Sequence, residues 1–174
     1  MNETLNVLKT RRACRTFSDK LVDRETLDAI VEAGRFAPSG MGRQAAELVV
    51  IQDAATVAQL SRMNAEVAGR NGDPFYGAPT VIVVLADSTV PTHVEDGSLV
   101  MGNLMNAAAS LGVDSIWVHR AKQEFESDEG KALLASWGLP ADGSLRGVGH
   151  CCLGYTEKPL PEPKPRRDNV TYVL

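Results

Sequence analysis

Apolar and polar residues along this chain alternate between the spacing of helices and the spacing of strands. Apolar side chains recur at helical spacing in five segments, which predicts helices over residues 4–12, 24–36, 54–69, 95–112 and 128–137. Apolar runs between these segments predict strands at residues 47–53, 79–87, 115–119 and 147–155. Because the run at 79–87 is rich in valine and has no polar face, we expect that strand to be buried on both sides.

The same spacing predicts which helix faces are buried. The first helix would turn Leu5 and Leu8 inward, and the third would turn Val67 inward. In the helix at 95–112, Leu99 and Leu111 belong to one wide apolar face, while the other faces carry small residues. Such a helix needs neighbours on most sides, so we expect it to be the central helix of the core and to contribute to a subunit interface.

Turn-forming residues separate these elements and shape the end of the chain. Asp23 has the position of a helix N-cap, and the proline and glycines of residues 37–43 predict a loop. Four prolines follow Tyr155 within fourteen residues, so we expect residues 156–174 to form an extended arm across a surface. No internal repeat is visible, and we predict one domain over residues 1–174.

Composition limits the class of protein. The chain has 174 residues, of which 44% are hydrophobic and 23% charged, values typical of a soluble globular domain. No apolar run reaches the roughly 18 residues that a membrane helix needs, and no signal-peptide segment is visible, so we predict a cytoplasmic protein without a membrane partner. The three cysteines, Cys14, Cys151 and Cys152, are odd in number and favour a reducing compartment.

Positive charge is concentrated near the start of an acidic chain. The formal net charge is −4, yet Lys9, Arg11, Arg12 and Arg15 lie within seven positions that contain no acid. A nucleic-acid surface would need wider basic coverage than a sequence pI of about 5.4 allows. A small anion is the better ligand, because guanidinium groups bind phosphate oxygens in pairs. The alternative is that these residues only complement the carboxyl end of a helix.

A second cationic pair lies in the predicted arm. Lys164 and Arg166 are two positions apart in an extended segment, so both would project to the same side, and the prolines around them would stiffen that geometry. If this pair met the N-terminal arginines, several donors would bind one phosphate group. The alternative is a solvated tail.

Other candidate motifs carry less chemistry. His150 and Cys152 would share one face of a strand, which supplies two ligands where a closed zinc site needs four, so core packing is favoured and no metal is predicted. If exposed, Cys14 would have a lowered pKa between its neighbouring arginines.

Seven short motifs, in order, resemble those of the FMN-dependent nitroreductases, in particular the short, clostridial-type members. The likeness extends over nearly the whole chain. The motifs are RRACRTF, APSGMGRQ, YGAPTVIVV, DGSLVMGNLMNAAASLG, WVHRA, CCLGY and PKPRR.

The resemblance implies a set of cofactor-binding residues. In that family the N-terminal arginine motif binds the flavin phosphate and ribityl chain, the C-terminal basic motif completes the phosphate site, and a Pro-Ser loop reaches over the flavin ring from the partner subunit. Carried over to this sequence, the residues are Arg11, Arg12, Ala13 (through its backbone amide), Arg15, Lys164 and Arg166, then Pro38, Ser39, Gly40, Met41 and Gln44, and finally His119 and Arg120 at another edge of the flavin.

The resemblance also implies the fold and the assembly. It implies an α+β, nitroreductase-like fold in which helices flank a mostly antiparallel central sheet, whereas alternating helices and strands alone would favour a doubly wound α/β sheet. It further implies a homodimer with FMN at the subunit interface and a small-molecule acceptor, without nucleic acid.

The implied function is an FMN-dependent oxidoreductase that takes hydride from NADH or NADPH. It would reduce a nitroaromatic, a quinone or an enone by a ping-pong mechanism, and no catalytic side chain is assigned, because the flavin brings the redox chemistry. Gly42, Ala45 and Ala46 depart from the family pattern beside the ring, which leaves a flavin-binding carrier or sensor without efficient turnover as the alternative. A nucleic-acid-binding module that uses the basic stretches is a third reading.

Overall fold

Four strands form one open antiparallel sheet in the computed structural model, which describes residues 2–174. The strands are β1 (Ala46–Ile51), β2 (Thr80–Asp87), β3 (Asp114–Val118) and β4 (Leu145–Gly154). Their order in the sheet is β1-β2-β4-β3, and every neighbouring pair is antiparallel. The antiparallel sheet that the resemblance implied is therefore confirmed, and the parallel sheet favoured by element alternation alone is wrong.

Six α-helices flank the sheet. They are α1 (Glu3–Thr10), α2 (Arg24–Arg35), α3 (Ala54–Ala68), α4 (His93–Ser110), α5 (Ala121–Glu126) and α6 (Asp128–Ser136). The predicted cap is confirmed, because Asp23 accepts a hydrogen bond from the amide of Thr26. Helix α5 was not predicted, because its six residues are too few to display a helical period before Ser127 ends it.

The central strands carry apolar layers on both faces. From β2, Ile82 and Val84 face the layer of α2 and α4, whereas Val81 and Val83 face the layer of α3, α5 and α6. The predicted burial of β2 on both sides is thus confirmed, since all four side chains are buried.

Helix α4 lies in the centre of the first layer, as predicted. Met101, Leu104 and Ala108 are fully buried against the sheet and α2. At Gly97 the helix comes so close to β4 that an added Cβ would lie 2.6 Å from a methyl group of Val148. The glycine is therefore needed for this close approach.

Several apolar positions predicted to face inward are exposed in the single chain. Leu5, Leu8, Val67, Leu99 and Leu111 have exposed fractions between 40% and 53%. These predictions are wrong for the isolated subunit, because helical spacing identifies positions that share a face but not whether the same chain covers that face. Leu5 and Leu8 lie on α1, none of whose residues is buried.

The predicted arm is confirmed as a segment without helix or strand. Residues 156–174 have neither, and residues 157–174 are all exposed. The arm is held at its start, where the amide of Thr156 donates a 3.0 Å hydrogen bond to Asp114. Within residues 2–174, no helix is both long and apolar enough to cross a membrane.

Candidate functional site

The arginine segment, residues 11–15, runs beside the edge strand β3. Helix α1 ends at Thr10, and the chain then forms a parallel bridge between Ala13 and Ser115. The amide of Cys14 donates a 3.0 Å hydrogen bond to the carbonyl of Ser115. These bonds fix the segment along β3, where Cys14 is buried and Arg15 is exposed.

Arg15 lies in a cleft of about 390 Å³ at the carboxyl end of β3, which we call the Arg15 cleft. Residues 116–120 and the loop at residues 70–74 form its walls together with Arg15. His119 is exposed and Arg120 half-buried. The structure therefore brings together three of the residues implied by the resemblance, although they are separated by more than one hundred positions in the sequence.

Arg11 and Arg12 line a second cavity, of about 230 Å³, which we call the Arg12 pocket. Leu160 of the arm and Ser115 also line it. One terminal nitrogen of Arg12, Nη1, donates to the carbonyls of Lys9 at 2.8 Å and Arg11 at 2.6 Å. Arg12 therefore binds carbonyls at the carboxyl end of α1, as the helix-end alternative predicted for the cluster.

Three buried donors along this edge have no partner among the described residues. They are Arg12 Nε, Ser115 Oγ and Trp117 Nε1. A buried donor without an acceptor costs about 1–3 kcal/mol, so such groups normally face a ligand or an ordered water. All three lie on the arginine segment or on β3. Arg12 and Ser115 line the Arg12 pocket, where with Arg11 they form a donor set that fits an anionic, acceptor-rich molecule such as FMN, whereas Trp117 Nε1 lies against Gly149 of β4.

The Pro-Ser loop, residues 38–44, lines a third cavity of about 350 Å³. Its backbone is constrained, because Met41 and Gln44 adopt positive φ angles of 53° and 51°, a conformation that costs a residue with a side chain about 1–2 kcal/mol. Met41 is 81% exposed. The loop therefore presents its tip to solvent while its backbone conformation is fixed.

Asp96 of α4 holds the base of this loop. Its buried carboxylate accepts a 2.9 Å hydrogen bond from the amide of Gly40 and a 3.2 Å bond from the hydroxyl of Thr92. A Cβ at Gly40 would lie 2.2 Å from that hydroxyl, so the position requires glycine. Within the loop, Ser39 accepts a bond from the amide of Gln44.

One subunit does not bring all the predicted residues into one cavity. The Arg15 cleft, the Arg12 pocket and the Pro-Ser loop line three separate cavities. Lys164 and Arg166 are exposed on the arm, and neither forms an ion pair with another residue in the 2–174 range. Their convergence on the arginine segment therefore stays a prediction.

Sequence reasoning missed further residues of the site. Arg70 and Tyr76 line the Arg15 cleft, and Asp96 holds the Pro-Ser loop. Arg70 directly follows the predicted third helix, and nothing in the local sequence showed that this part of the chain lies against the end of β3. Asp96 could have been noticed as an acidic residue on the most apolar helix of the chain.

Burial determines the ionisation of several groups near the site. Partial burial raises the pKa of Asp114, and the hydrogen bond from Thr156 only partly offsets that effect. The condition for a lowered pKa at Cys14, exposure of its side chain, is not met: the side chain is buried, and burial raises its thiol pKa. Burial also raises the pKa of Cys151 to about 12, against the smaller opposing effect of Arg11.

His150 is a core residue, as its sequence context favoured. Its side chain is fully buried and lies against the ring of Phe75, with 5.0 Å between ring centroids. Across the portion of the chain that the structure describes, no three His, Cys, Asp or Glu side chains are grouped so that they could hold a metal ion.

Comparison with known proteins agrees with this geometry. The model of the Nitroreductase family matches residues 8–155. A curated relative from Archaeoglobus fulgidus, named provisionally as an NADH dehydrogenase/NAD(P)H nitroreductase, is 30% identical over 145 residues, or 80% of this chain and 79% of the relative. The FMN reductase (NAD(P)H) of Bacillus subtilis is 27% identical over 186 aligned positions, which cover 93% of this chain and 72% of that protein.

Solved structures match over almost the full length. A nitroreductase with bound FMN from Bacteroides fragilis has a TM-score of 0.90 and 26% identity, with 99% of this chain and 100% of that chain covered. A nitroreductase with bound FMN from Desulfitobacterium hafniense has a TM-score of 0.88 and 30% identity, with 99% of both chains covered.

Proposed function

Because this chain belongs to the nitroreductase family, we propose that it is an NAD(P)H-dependent flavin oxidoreductase whose FMN binds along β3 and the arginine segment. The relatives named as NAD(P)H nitroreductase and FMN reductase, together with the FMN-bound structures, support the cofactor and the electron donor. The acceptor and the order of the steps are our own proposal.

One observation in this chain carries the assignment. In the Arg12 pocket, the arginine segment and β3 place cationic side chains beside two buried donors that lack acceptors, Arg12 Nε and Ser115 Oγ. A phosphate group and a flavin ring both present acceptor atoms, and a dianionic phosphate matches the positive charge. Each cavity has one carboxylate in its lining, Asp73 in the Arg15 cleft and Asp114 in the Arg12 pocket, but the arginines outnumber it in both. This excess of positive charge favours FMN over an electroneutral ligand.

The residues take separate roles in this proposal. Arg15 binds the phosphate end in the Arg15 cleft, while Arg11 and Arg12 add positive charge from the separate Arg12 pocket, where Nη1 of Arg12 stays bonded to the end of α1. Arg120 and His119 lie along the edge of the flavin in the Arg15 cleft. Lys164 and Arg166 add two cations when the arm approaches this site.

A second copy of the chain completes the site in the proposed homodimer. The Pro-Ser loop presents Met41 to solvent and lines a cavity separate from the Arg15 cleft of its own subunit. The exposed leucines of α1 and α4 provide an apolar surface for association. Pro38, Ser39, Gly40, Met41 and Gln44 of each copy would then cover the flavin of the other.

In this proposal the protein positions the cofactor and stabilises its negative charge, while the redox chemistry belongs to the cofactor. FMN supplies the redox chemistry, accepting a hydride from NAD(P)H and passing electrons to the acceptor. The guanidinium groups of the Arg15 cleft offset the negative charge that accompanies reduction. Gly42, which has no side chain, and the small residues Ala45 and Ala46 would leave space beside the proposed ring position for a nitroaromatic, a quinone or an enone. This acceptor would bind after the spent nicotinamide has left, which makes the proposed mechanism ping-pong.

A visible absorption spectrum and an anaerobic titration test the proposal. We expect purified protein to be yellow or to become yellow on addition of FMN, to bleach rapidly with NADH or NADPH, and to regain colour when a quinone is added. A yellow protein that bleaches only slowly would support the carrier or sensor alternative. A protein that stays colourless with excess FMN would contradict the proposal.

A further inference from the structure

Three polar side chains are completely buried in the apolar layer beneath the Arg15 cleft. They are Asn64 of α3, Glu124 of α5 and His150 of β4, each with an exposed fraction of 0%. Phe75 and Phe125 lie around the imidazole of His150, at centroid distances of 5.0 and 6.2 Å. Burying such groups costs free energy that well-packed apolar side chains would not, so the cluster requires an explanation beyond packing.

The three side chains form a continuous hydrogen-bond network. His150 Nε2 lies 2.9 Å from one carboxylate oxygen of Glu124. The other carboxylate oxygen accepts a bond from the amide nitrogen of Asn64. His150 Nδ1 has no partner among the residues that the structure describes. The network therefore begins at His150, whose far side is apolar, and continues through Glu124 to Asn64.

Asn64 connects this network to the wall of the Arg15 cleft. Its amide nitrogen also donates a 2.7 Å bond to the carbonyl of His119, and its amide oxygen accepts a 3.4 Å bond from Nη1 of Arg120. Both partners line the cleft. The buried network thus ends on the turn between β3 and α5.

That turn is strained at Arg120. Its φ angle of 84° lies in the left-handed region, and no side chain caps the amino end of α5 that follows. A residue other than glycine holds such a conformation only when its surroundings impose it. Asn64 makes two bonds to this turn: it donates to the carbonyl before Arg120 and accepts from the Arg120 guanidinium.

We propose that Asn64, itself oriented by Glu124 and His150, is a positioning residue that holds the Arg120 guanidinium at the wall of the Arg15 cleft. The inference rests on the proposed function, because it gives the held cation an anionic cofactor to act on. Without Asn64, the arginine would rotate toward solvent, and the site would lose a fixed positive charge rather than its fold. FMN affinity would fall, and the reduced, more negative flavin would lose more stabilisation than the oxidised form.

A double-mutant cycle on the FMN-loaded protein tests this coupling. Asn64→Ala, Arg120→Ala and the double variant are compared by FMN dissociation constant, from flavin fluorescence, and by flavin midpoint potential. We expect Asn64→Ala to weaken FMN binding about tenfold and to make the potential more negative when Arg120 is present, but to change affinity less than about twofold in the Arg120→Ala background. Gln59→Ala is the matched control, because it removes a different tertiary hydrogen bond of α3, to Glu129.

Two outcomes would overturn the inference. One is an equal effect of Asn64→Ala in both Arg120 backgrounds, which would mean that the cluster acts only on general stability. The other is an unchanged potential in Asn64→Ala despite its folding. If that variant does not fold, Glu124→Gln, which cannot accept both bonds at once, enters the same cycle with the same expectation. A wild-type protein that binds no FMN would contradict the proposed function instead.

Discussion

At the scale of single residues, the structure separates three arginines that look equivalent in the sequence. Arg12 bonds the end of α1, Arg11 lies in the same pocket, and Arg15 stands in the cleft with Arg120. The cluster therefore combines a structural task at Arg12 with the binding task that we propose for Arg15. Substitution of Arg12 should therefore affect the end of α1, whereas substitution of Arg15 should affect ligand binding in the cleft.

Replacement of Arg15 by alanine should weaken FMN binding without changing stability. A charge-assisted hydrogen bond contributes about 1.5–3 kcal/mol, so we expect the dissociation constant to rise about 10- to 150-fold. Thermal unfolding of the flavin-free protein should be unchanged, because the side chain is exposed. Arg24→Ala is the control, since Arg24 pairs with Asp28 on an exposed helix face. Full flavin retention in Arg15→Ala would remove the phosphate assignment.

The cysteines should be unreactive in the folded protein. Cys14, Cys151 and Cys152 are buried, and burial raises the pKa of all three, that of Cys151 to about 12. The thiolate is the reactive form, so a disulfide reagent at mildly alkaline pH should modify none of them rapidly. All three should react after unfolding in guanidinium. Rapid modification of native protein would contradict the burial of the cysteine side chains.

At the scale of elements, close contacts rather than helical period fix the position of α4. Gly97 lets the helix approach β4 at Val148, and Asp96, one residue earlier, holds the Pro-Ser loop. The same turn of α4 thus contributes to the core and to the candidate site. A change in its packing should affect both.

A coupled pair of substitutions tests this contact. Gly97→Ala should destabilise the protein by about 1–3 kcal/mol, because the new methyl group would meet Val148 at 2.6 Å. Val148→Ala should relieve the clash, so that the double variant loses less than the two single losses combined. Denaturant unfolding of the four proteins measures the difference. Strict additivity would mean that helix and strand do not meet at this point.

Local pattern predicted most elements, but not the surfaces that they bury. The strand at 79–87 and the cap at Asp23 follow from short-range chemistry, so they could be predicted. The exposure of Leu8, the loop held by Asp96 and the Arg15 cleft depend on contacts between distant segments. The resemblance named much of the site, but Arg70 and Asn64 enter it only through the tertiary fold.

At the scale of the whole molecule, the proposed homodimer would explain three features of the single chain. Its arm is exposed from residue 157 onward, and apolar side chains of α1 and α4 face solvent. The Pro-Ser loop and the Arg15 cleft lie in separate cavities. A second copy of the chain would account for all three features together.

Removal of the arm after Thr156 should weaken FMN binding while the sheet still forms. The truncation deletes Lys164 and Arg166 but retains the bond between Thr156 and Asp114. We expect a higher FMN dissociation constant and an unchanged far-ultraviolet circular dichroism spectrum for the sheet and helices. The full-length variant with alanine at both basic positions is the control for lost charge. Unchanged affinity in both would mean that the arm is only a solvated tail.

The flavin content of mixed dimers tests most directly whether two copies share each site. Arg15→Ala alters the cleft, and Gly40→Val displaces the Pro-Ser loop from Thr92. In a dimer of one variant with the other, the account predicts one intact site and one doubly altered site, hence about half the wild-type FMN content. Flavin as scarce as in either parent, or a failure of the two variants to associate, would contradict it.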